Sequence, residues 1–155
     1  MKKLSKSVSS TLKIGRSISR LLKPGDIILL SGTLGAGKTV LAKGIAQGLG
    51  ISKDKVISPT FVLLRVHKGK HPLHHFDFYR LKTPADILAL GYEEYFYSEG
   101  ITLIEWPERL KFLLPKEFLK IKLSAKAANS RSLQFIARGS AYKRLLGKLN
   151  ENIRD

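Results

Sequence analysis

Apolar residues recur along the chain with two alternating spacings, one typical of strands and one typical of helices. Residues 26–31 form a short apolar run that predicts a strand buried on both faces. Residues 38–48 place Val40, Leu41 and Ile45 at helical spacing, and Gly48-Leu49-Gly50 predicts the end of that helix. A buried strand followed at once by a helix is therefore the predicted centre of the fold.

Another helix is predicted before this strand. Ser9, Ser10 or Thr11 can cap its start, and Pro24-Gly25 ends it. Its apolar positions, at near-helical spacing, are Val8, Leu12, Ile18, Leu21 and Leu22. We expect the apolar side of this helix to lie on the sheet.

The middle of the chain predicts a rigid loop, a hairpin and two short helices. Ser58-Pro59-Thr60 interrupts an apolar run, because proline cannot donate to a sheet. Residues 61–67 and 73–78 read as two strands joined by residues 68–72. Thr83 and Pro84 predict a capped helix running to about Leu90, and residues 92–96 predict another helical turn.

The last third predicts a buried strand, an antiparallel pair and a final helix. Residues 101–104 are a buried-strand run that delivers Glu105 at its carboxyl end, and a short helix follows as far as Pro115. Residues 119–123 and 133–135 alternate apolar with polar positions, which predicts two strands with one wet face each. An amphipathic helix over residues 142–153 completes the chain.

One stretch carries a specific chemical pattern, Gly32-Thr33-Leu34-Gly35-Ala36-Gly37-Lys38-Thr39, which fits the G-x-x-x-x-G-K-[ST] phosphate-binding loop. Glycines let backbone N–H groups turn inward around a triphosphate, and the helix N-terminus favours negative charge. Lys38 is predicted to bridge the β- and γ-phosphates of ATP, and the Thr39 hydroxyl to hold Mg²⁺. The predicted ATP-binding residues are Gly32, Leu34, Gly35, Ala36, Gly37, Lys38, Thr39, Val40 and Thr60.

This motif and the element pattern together predict the fold class. We expect one α/β domain over residues 1–155, a P-loop NTPase-like three-layer sandwich. Its central sheet is predicted to be mainly parallel with an antiparallel extension, and helices are expected on both faces.

Five residues outside the phosphate loop are candidates for the chemistry. Glu105 is predicted to hold the Mg²⁺ from the second side, directly or through water, and the alternative is a surface glutamate after a core strand. Asp77 is predicted to orient the attacking water or the metal shell, with Arg80 pairing with phosphate or locking the loop; an Asp–Arg pair that only braces the fold is the alternative. Thr60 is a candidate switch-loop contact to the γ-phosphate or Mg²⁺. Trp106 can stack on a base, cover the site or pack in the core.

Composition excludes some kinds of chemistry and indicates which binding partners the chain would attract. The chain has no cysteine, which excludes disulfides and thiolate chemistry, and its four histidines do not have the spacing of a zinc site. The net charge of +16 is concentrated at both ends of the chain and would attract RNA, another polyanion or an acidic protein; a merely solvated basic surface is the alternative. No run is long enough to span a bilayer, so a cytoplasmic protein is expected.

Taken together, these motifs resemble the TsaE (YjeE) family of bacterial P-loop ATPases. Besides the phosphate loop, the resemblance depends on Ser58-Pro59-Thr60-Phe61, residues 75–81, residues 91–96 and residues 104–108, and it covers residues 8–124. It departs from the family at Thr33, where an acidic residue is frequent, and at Val40, where a second threonine is common. Neither departure removes a phosphate or metal contact.

The resemblance implies a function. It implies an accessory ATPase for threonylcarbamoyladenosine, the modified base beside the anticodon of tRNAs that read codons starting with A. Such a protein docks on the TsaD–TsaB pair, hydrolyses ATP weakly when alone and does not transfer the threonylcarbamoyl group. It meets tRNA indirectly, and direct contact of this chain with tRNA through its basic ends stays open. By motif match, Lys38 contacts phosphates, Thr39 and Glu105 bind Mg²⁺, and Asp77 and Trp106 are needed for activity. Thr60 lies in the first switch-like loop.

Two rival functions remain open on the sequence. A small-molecule kinase would need an arginine-rich lid and an acceptor pocket, and no clear lid is visible. A nucleic-acid-binding module without catalysis would depend on the terminal lysines rather than on Lys38. No internal arginine finger is evident, so we expect hydrolysis to require a partner.

Overall fold

The computed structural model describes residues 1–57 and 59–153 and builds them around one mixed sheet. The described residues form seven strands, β1 (Lys2–Ser5), β2 (Ile27–Ser31), β3 (Leu64–His67), β4 (Leu73–Asp77), β5 (Ile101–Glu105), β6 (Phe118–Ala127) and β7 (Ser130–Arg138). They also form five α-helices, α1 (Val8–Ser19), α2 (Lys38–Gly48), α3 (Pro84–Leu88), α4 (Glu93–Phe96) and α5 (Ser140–Asn152). Two 3-10 helices span Lys53–Lys55 and Pro107–Leu113.

The centre of the sheet is parallel and both of its edges are antiparallel. The strand order is β1-β7-β6-β2-β5-β4-β3, with β6, β2, β5 and β4 parallel to their neighbours in the centre. β3 adds to β4, β7 to β6 and β1 to β7 in antiparallel pairs. Every residue of β2, β4 and β5 is buried, as expected for strands covered on both faces. The predicted parallel centre is therefore present, with antiparallel strands on both sides of it.

Two apolar cores lie on opposite faces of the sheet. Ile28 and Leu30 of β2 pack with α1, α2 and α5, whereas Ile27 and Leu29 pack against α3, α4 and the second 3-10 helix. Alternate residues of one strand enter different cores because successive side chains point to opposite faces. The sheet is thus the middle layer of three.

The N-terminus differs from the prediction. Residues 2–5 form β1, an edge strand that the polar sequence did not predict, because backbone pairing with β7 rather than apolar alternation holds it. The start of α1 was also predicted wrongly. Its cap is Ser7, whose Oγ accepts a hydrogen bond from Ser10 N at 3.0 Å, so Ser9, Ser10 and Thr11 lie inside the helix.

Helix α1 ends at Ser19, before the predicted stop at Pro24-Gly25. Its buried side chains join the sheet core, and its backbone also packs closely on α2. A methyl group added at Gly15 would lie 2.7 Å from the backbone nitrogen of Ile45, and one at Gly44 would lie 2.5 Å from the carbonyl oxygen of Leu12. These two glycines therefore permit a close approach of the helices.

The predicted hairpin is present with shorter strands. β3 begins at Leu64 rather than Phe61, because Leu63 has a left-handed φ of 67° and residues 60–63 form turns and a bend. β4 ends at Asp77, one residue early. Ser58, part of the predicted rigid loop, lies outside the described residues.

The Thr83 capping box on α3 is present, and α3 ends at Leu88 rather than Leu90. Within the described ranges, no helix is both long and apolar enough to cross a membrane.

Candidate functional site

A cleft of about 350 Å³ opens where β2, β4 and β5 end at their carboxyl edge. The residues lining it are Leu34, Gly35, Gly37, Lys38, Thr39, Val40, Thr60, Asp77, Tyr79, Glu105, Trp106 and Arg131. We call residues 32–40 the loop wall. We call Thr60, Asp77, Tyr79, Glu105 and Trp106, which lie opposite, the strand-end wall.

The loop wall is shaped by backbone conformation. Gly32, Gly35 and Gly37 have φ values of 149°, 75° and 104°, which residues with a Cβ rarely adopt. Gly37 precedes α2, and no side chain among the described residues caps this helix N-terminus. The free N–H groups and the helix dipole therefore point into the cleft and favour an anion there.

Lys38 lies inside the loop wall and is 6% exposed. Its Nζ donates hydrogen bonds to the carbonyl oxygens of Gly32 at 2.6 Å and Thr33 at 2.9 Å. Burial lowers the pKa of this ammonium, and the carboxylates of Glu105 and Asp77 oppose that shift. An ammonium has three donors, so the third can serve a ligand in the cleft.

Two carboxylates face Lys38 from the strand-end wall. Asp77 and Glu105 are direct neighbours in the β4–β5 ladder, and each is 2% exposed. Asp77 Oδ2 accepts a hydrogen bond from Thr60 Oγ1 at 2.6 Å, and its Oδ1 accepts one from Tyr79 N at 2.9 Å. Glu105 Oε2 lies 2.8 Å from Nε2 of the fully buried His75. The ends of two parallel strands thus present a carboxylate pair to the cleft.

Trp106 covers one side of the cleft. It has a left-handed φ of 58°, a strained value for a bulky side chain that turns the chain directly after β5. Its ring lies 4.8 Å from the Tyr79 ring and 4.6 Å from Lys38 Nζ. It also packs partly against the second core, so the predicted covering and packing roles coexist in this residue.

Ile57 and residues 59–63 form the rim at Thr60. The side chains of Ile57, Phe61 and Val62 are exposed, Phe61 by 78%. The guanidinium of Arg80 lies 4.3 Å above the Phe61 ring. Of the roles predicted for Arg80, this contact favours the one in which it holds the loop.

All of the predicted site residues except Gly32 and Ala36 line the cleft. The side chain of Ala36 is buried in the core beneath the loop, and Gly32 contributes its carbonyl to Lys38 rather than to the cleft surface. Leu34, Gly35, Gly37, Thr39, Val40, Thr60, Asp77, Glu105 and Trp106 all line the cleft beside Lys38.

Two cleft residues were not assigned to the site from the sequence. Tyr79 follows Asp77 by two residues, and strand alternation, which predicts both on one face, was a sufficient signal to include it. Arg131 carried no such signal, because the β6–β7 hairpin brings it to the loop wall from 96 residues away. Its Nη2 donates to the Gly35 carbonyl at 3.5 Å, and its Nη1 donates to the carbonyls of Ala127, Ala128 and Ser130.

The residues present fit magnesium and a polyphosphate. Amide, ammonium and guanidinium donors on one wall suit phosphate oxygens, and the Thr39 hydroxyl with the Glu105 carboxylate offers the hard oxygen ligands that Mg²⁺ prefers. The described residues contain no group of three or more His, Cys, Asp or Glu side chains that could hold a metal alone. Phosphate oxygens and water must therefore supply the remaining ligands.

Comparison with known proteins gives one consistent result. A family model described as "Threonylcarbamoyl adenosine biosynthesis protein TsaE" matches residues 5–133. The tRNA threonylcarbamoyladenosine biosynthesis protein TsaE of Treponema pallidum is 40% identical over 133 residues, covering 86% of this chain and 98% of that protein. The protein of the same name from Bacillus subtilis is 38% identical over 143 residues, covering 92% and 89%.

The fold comparison agrees. The crystal structure of Bacillus subtilis YdiB matches with a TM-score of 0.86 and 33% identity, covering 99% of this chain and 96% of that one. The α/β fold class predicted from the sequence is confirmed by this similarity and by the seven-stranded sheet of the described residues.

Proposed function

This chain belongs to the TsaE family of tRNA threonylcarbamoyladenosine biosynthesis proteins, as its motifs predicted, and from that premise we propose that it is the accessory ATPase of that modification. It binds Mg-ATP in the cleft and hydrolyses it slowly when alone. It acts with a TsaD–TsaB pair and does not itself transfer the threonylcarbamoyl group.

The observation that carries the proposal is the opposition of charges across one cleft. The loop wall places an ammonium and a free helix N-terminus on one side, and the strand-end wall places two buried carboxylates on the other. Phosphoryl transfer requires this division, since phosphate needs donors while the metal and the attacking water need acceptors.

Each wall has its own task in this proposal. Lys38 and the amides of residues 35–39 bind the β- and γ-phosphates, while the Thr39 hydroxyl and the Glu105 carboxylate hold the magnesium ion. When bound, magnesium offsets charge on the phosphate oxygens. Asp77 orients the attacking water, and its hydrogen bonds to Thr60 and to the Tyr79 backbone fix its carboxylate in place. Trp106 shields the cleft from bulk water beside Lys38.

The rim supports the proposed dependence on a partner. The exposed apolar side chains of Ile57, Phe61 and Val62 lie next to Thr60, which points toward Asp77. Burying them against TsaD–TsaB would fix Thr60 and close the cleft at the same time. Partner-stimulated hydrolysis is the expected consequence.

Phosphate release from ATP tests the proposal, with the full chain measured alone and with purified TsaD–TsaB. We expect slow release alone, a large increase with the pair, and loss of both in Glu105→Ala but not in Glu108→Ala, whose carboxylate is exposed. Partner-independent turnover that Glu105→Ala leaves unchanged would contradict the proposal.

The same assay separates the two rivals. The kinase hypothesis is tested by adding candidate metabolites and measuring whether a phosphorylated product forms. Function that survives Lys38→Ala but not removal of the terminal lysines would support the nucleic-acid-binding module instead.

A further inference from the structure

We propose that His75 is a positioning residue that fixes the Glu105 carboxylate for the metal ion. This inference depends on the proposed Mg-nucleotide site. His75 is a buried imidazole that does not line the cleft, so it would not contact the nucleotide directly.

The sheet register brings the two side chains together. His75 lies opposite Leu103 in the β4–β5 ladder, and Asp77 lies opposite Glu105. Glu105 is therefore the diagonal neighbour of His75 on the same face, within reach of a long side chain. The imidazole Nε2 meets Glu105 Oε2 at 2.8 Å, with His75 fully buried and Glu105 2% exposed.

This contact orients the carboxylate. A carboxylate that binds a metal only accepts hydrogen bonds, so the proposal assigns the donor role in this contact to Nε2–H of His75. One carboxylate oxygen is then held from inside the sheet, and Oε1 remains for the cleft. A glutamate side chain loses considerable rotamer freedom when it binds a metal, and His75 imposes that order before the metal arrives.

A purely structural role explains the contact less well. The other imidazole nitrogen, Nδ1, is buried and has no hydrogen-bond partner among the described residues. A buried polar atom without a partner is unfavourable, and an apolar side chain would fill this position in the sheet without that cost. Within the part of the chain that the structure describes, the one hydrogen bond of the His75 side chain goes to the proposed metal ligand.

Three variants of the full chain test the inference. His75→Gln places an amide N–H close to the position of Nε2, His75→Asn places one close to Nδ1 and cannot reach Glu105, and His75→Leu has no donor. His74→Leu is the matched control, because His74 is a buried histidine of the same strand that contacts Tyr95 instead. Fluorescent ATP binding in EDTA and Mn²⁺ binding to the nucleotide complex, followed by electron paramagnetic resonance, are the two readouts.

We expect His75→Leu and His75→Asn to weaken Mn²⁺ binding about 10- to 100-fold. Metal-free nucleotide binding should stay within about twofold of wild type, and His75→Gln should restore most of the Mn²⁺ affinity. If His75→Leu does not fold, the comparison of the two amide variants decides alone.

Three results are distinguishable. Equal Mn²⁺ affinity in wild type and His75→Leu, or in His75→Gln and His75→Asn, would overturn the positioning role. Loss of metal-free nucleotide binding in step with Mn²⁺ binding would also overturn it, because a general loss of structure would then account for both. Absence of Mn²⁺ and nucleotide binding in wild type would instead overturn the proposed function on which this inference depends.

Discussion

The two walls of the cleft are built in different ways. The loop wall is one continuous segment, residues 32–40, whose shape depends on positive-φ glycines and on the start of α2. The strand-end wall collects Thr60 from a loop, Asp77 and Glu105 from the ends of β4 and β5, Tyr79 from two residues after β4, and Trp106 from the position directly after β5. The first wall is mainly backbone, whereas the second consists of side chains held by one another.

Because the two walls are built differently, they should respond differently to substitutions. A backbone cradle tolerates changes in exposed side chains such as that of Leu34, but not the loss of a glycine conformation or of the buried Lys38. A side-chain wall depends on hydrogen bonds such as those of Asp77 with Thr60 and of Glu105 with His75. Substitutions on the two walls should therefore separate phosphate binding from metal use.

The largest effect is expected on the loop wall from Lys38→Ala. Removing the ammonium leaves the carbonyls of Gly32 and Thr33 without their donor and removes the main charge facing the phosphates. Turnover with TsaD–TsaB should fall by about 10²–10³, as for loss of one preorganised donor. ATP titration and phosphate release measure the two consequences.

Lys43→Ala is the control for this change. Lys43 has the same charge and lies on the same helix, but it does not line the cleft. Similar losses in both variants would mean that general positive charge, rather than the loop wall, attracts the nucleotide.

On the strand-end wall, Glu105→Gln should give a smaller loss with a different signature. The amide keeps the size of the side chain but is a poor ligand for Mg²⁺, so turnover should fall by about 10² while ATP binding in EDTA is retained. Isothermal titration with and without Mg²⁺ measures this. Glu108→Gln removes an equal charge from an exposed position near Lys38, and an equal loss there would contradict a metal role for Glu105.

The same contrast explains how much could be predicted from the sequence. The loop wall is local, so the glycine spacing, Lys38 and the start of α2 were readable from one segment. Glu105 could also be placed from the sequence, because the apolar run 101–104 delivers it to the carboxyl edge of the sheet. Asp77 was predicted within a strand ending at Phe78, and the β4–β5 register places it beside Glu105. The fold class followed from the same runs.

The rest depends on contacts that no local pattern encodes. The edge strand β1 is held by backbone pairing with β7, so its polar sequence gave no signal. Arg131 reaches the loop wall only through the register of the β6–β7 hairpin. The cap of α1 was missed because Ser7, Ser9, Ser10 and Thr11 all have side chains able to cap a helix, and the sequence does not distinguish among them.

A third prediction isolates backbone shape in the loop wall. Gly35 and Gly50 both have positive φ values, 75° and 80°, and a methyl group at either would meet no atom within 4 Å. Both alanine variants should lose about 1–2 kcal/mol of unfolding free energy from the strained φ. Only Gly35→Ala should also weaken ATP binding, about tenfold or roughly 1.4 kcal/mol, because Gly35 lines the cleft and Gly50 does not.

Urea unfolding and ATP titration on both variants check this pair. Equal ATP affinity in Gly35→Ala and Gly50→Ala would mean that the nucleotide does not approach Gly35. Equal affinity would therefore contradict the proposal that the loop wall binds the phosphates.

The smallest effect is expected at Arg131, which links the loop wall to the β6–β7 hairpin. Its guanidinium spans from three hairpin carbonyls to the carbonyl of Gly35, and a lysine keeps the charge but cannot donate in both directions at once. Arg131→Lys should therefore weaken ATP binding by about three- to fivefold, or roughly 0.6–1 kcal/mol. Arg138→Lys, an exposed change at the end of β7, is the control. Wild-type affinity in Arg131→Lys would mean that Arg131 contributes charge alone, and the loop wall would then keep its shape without support from the hairpin.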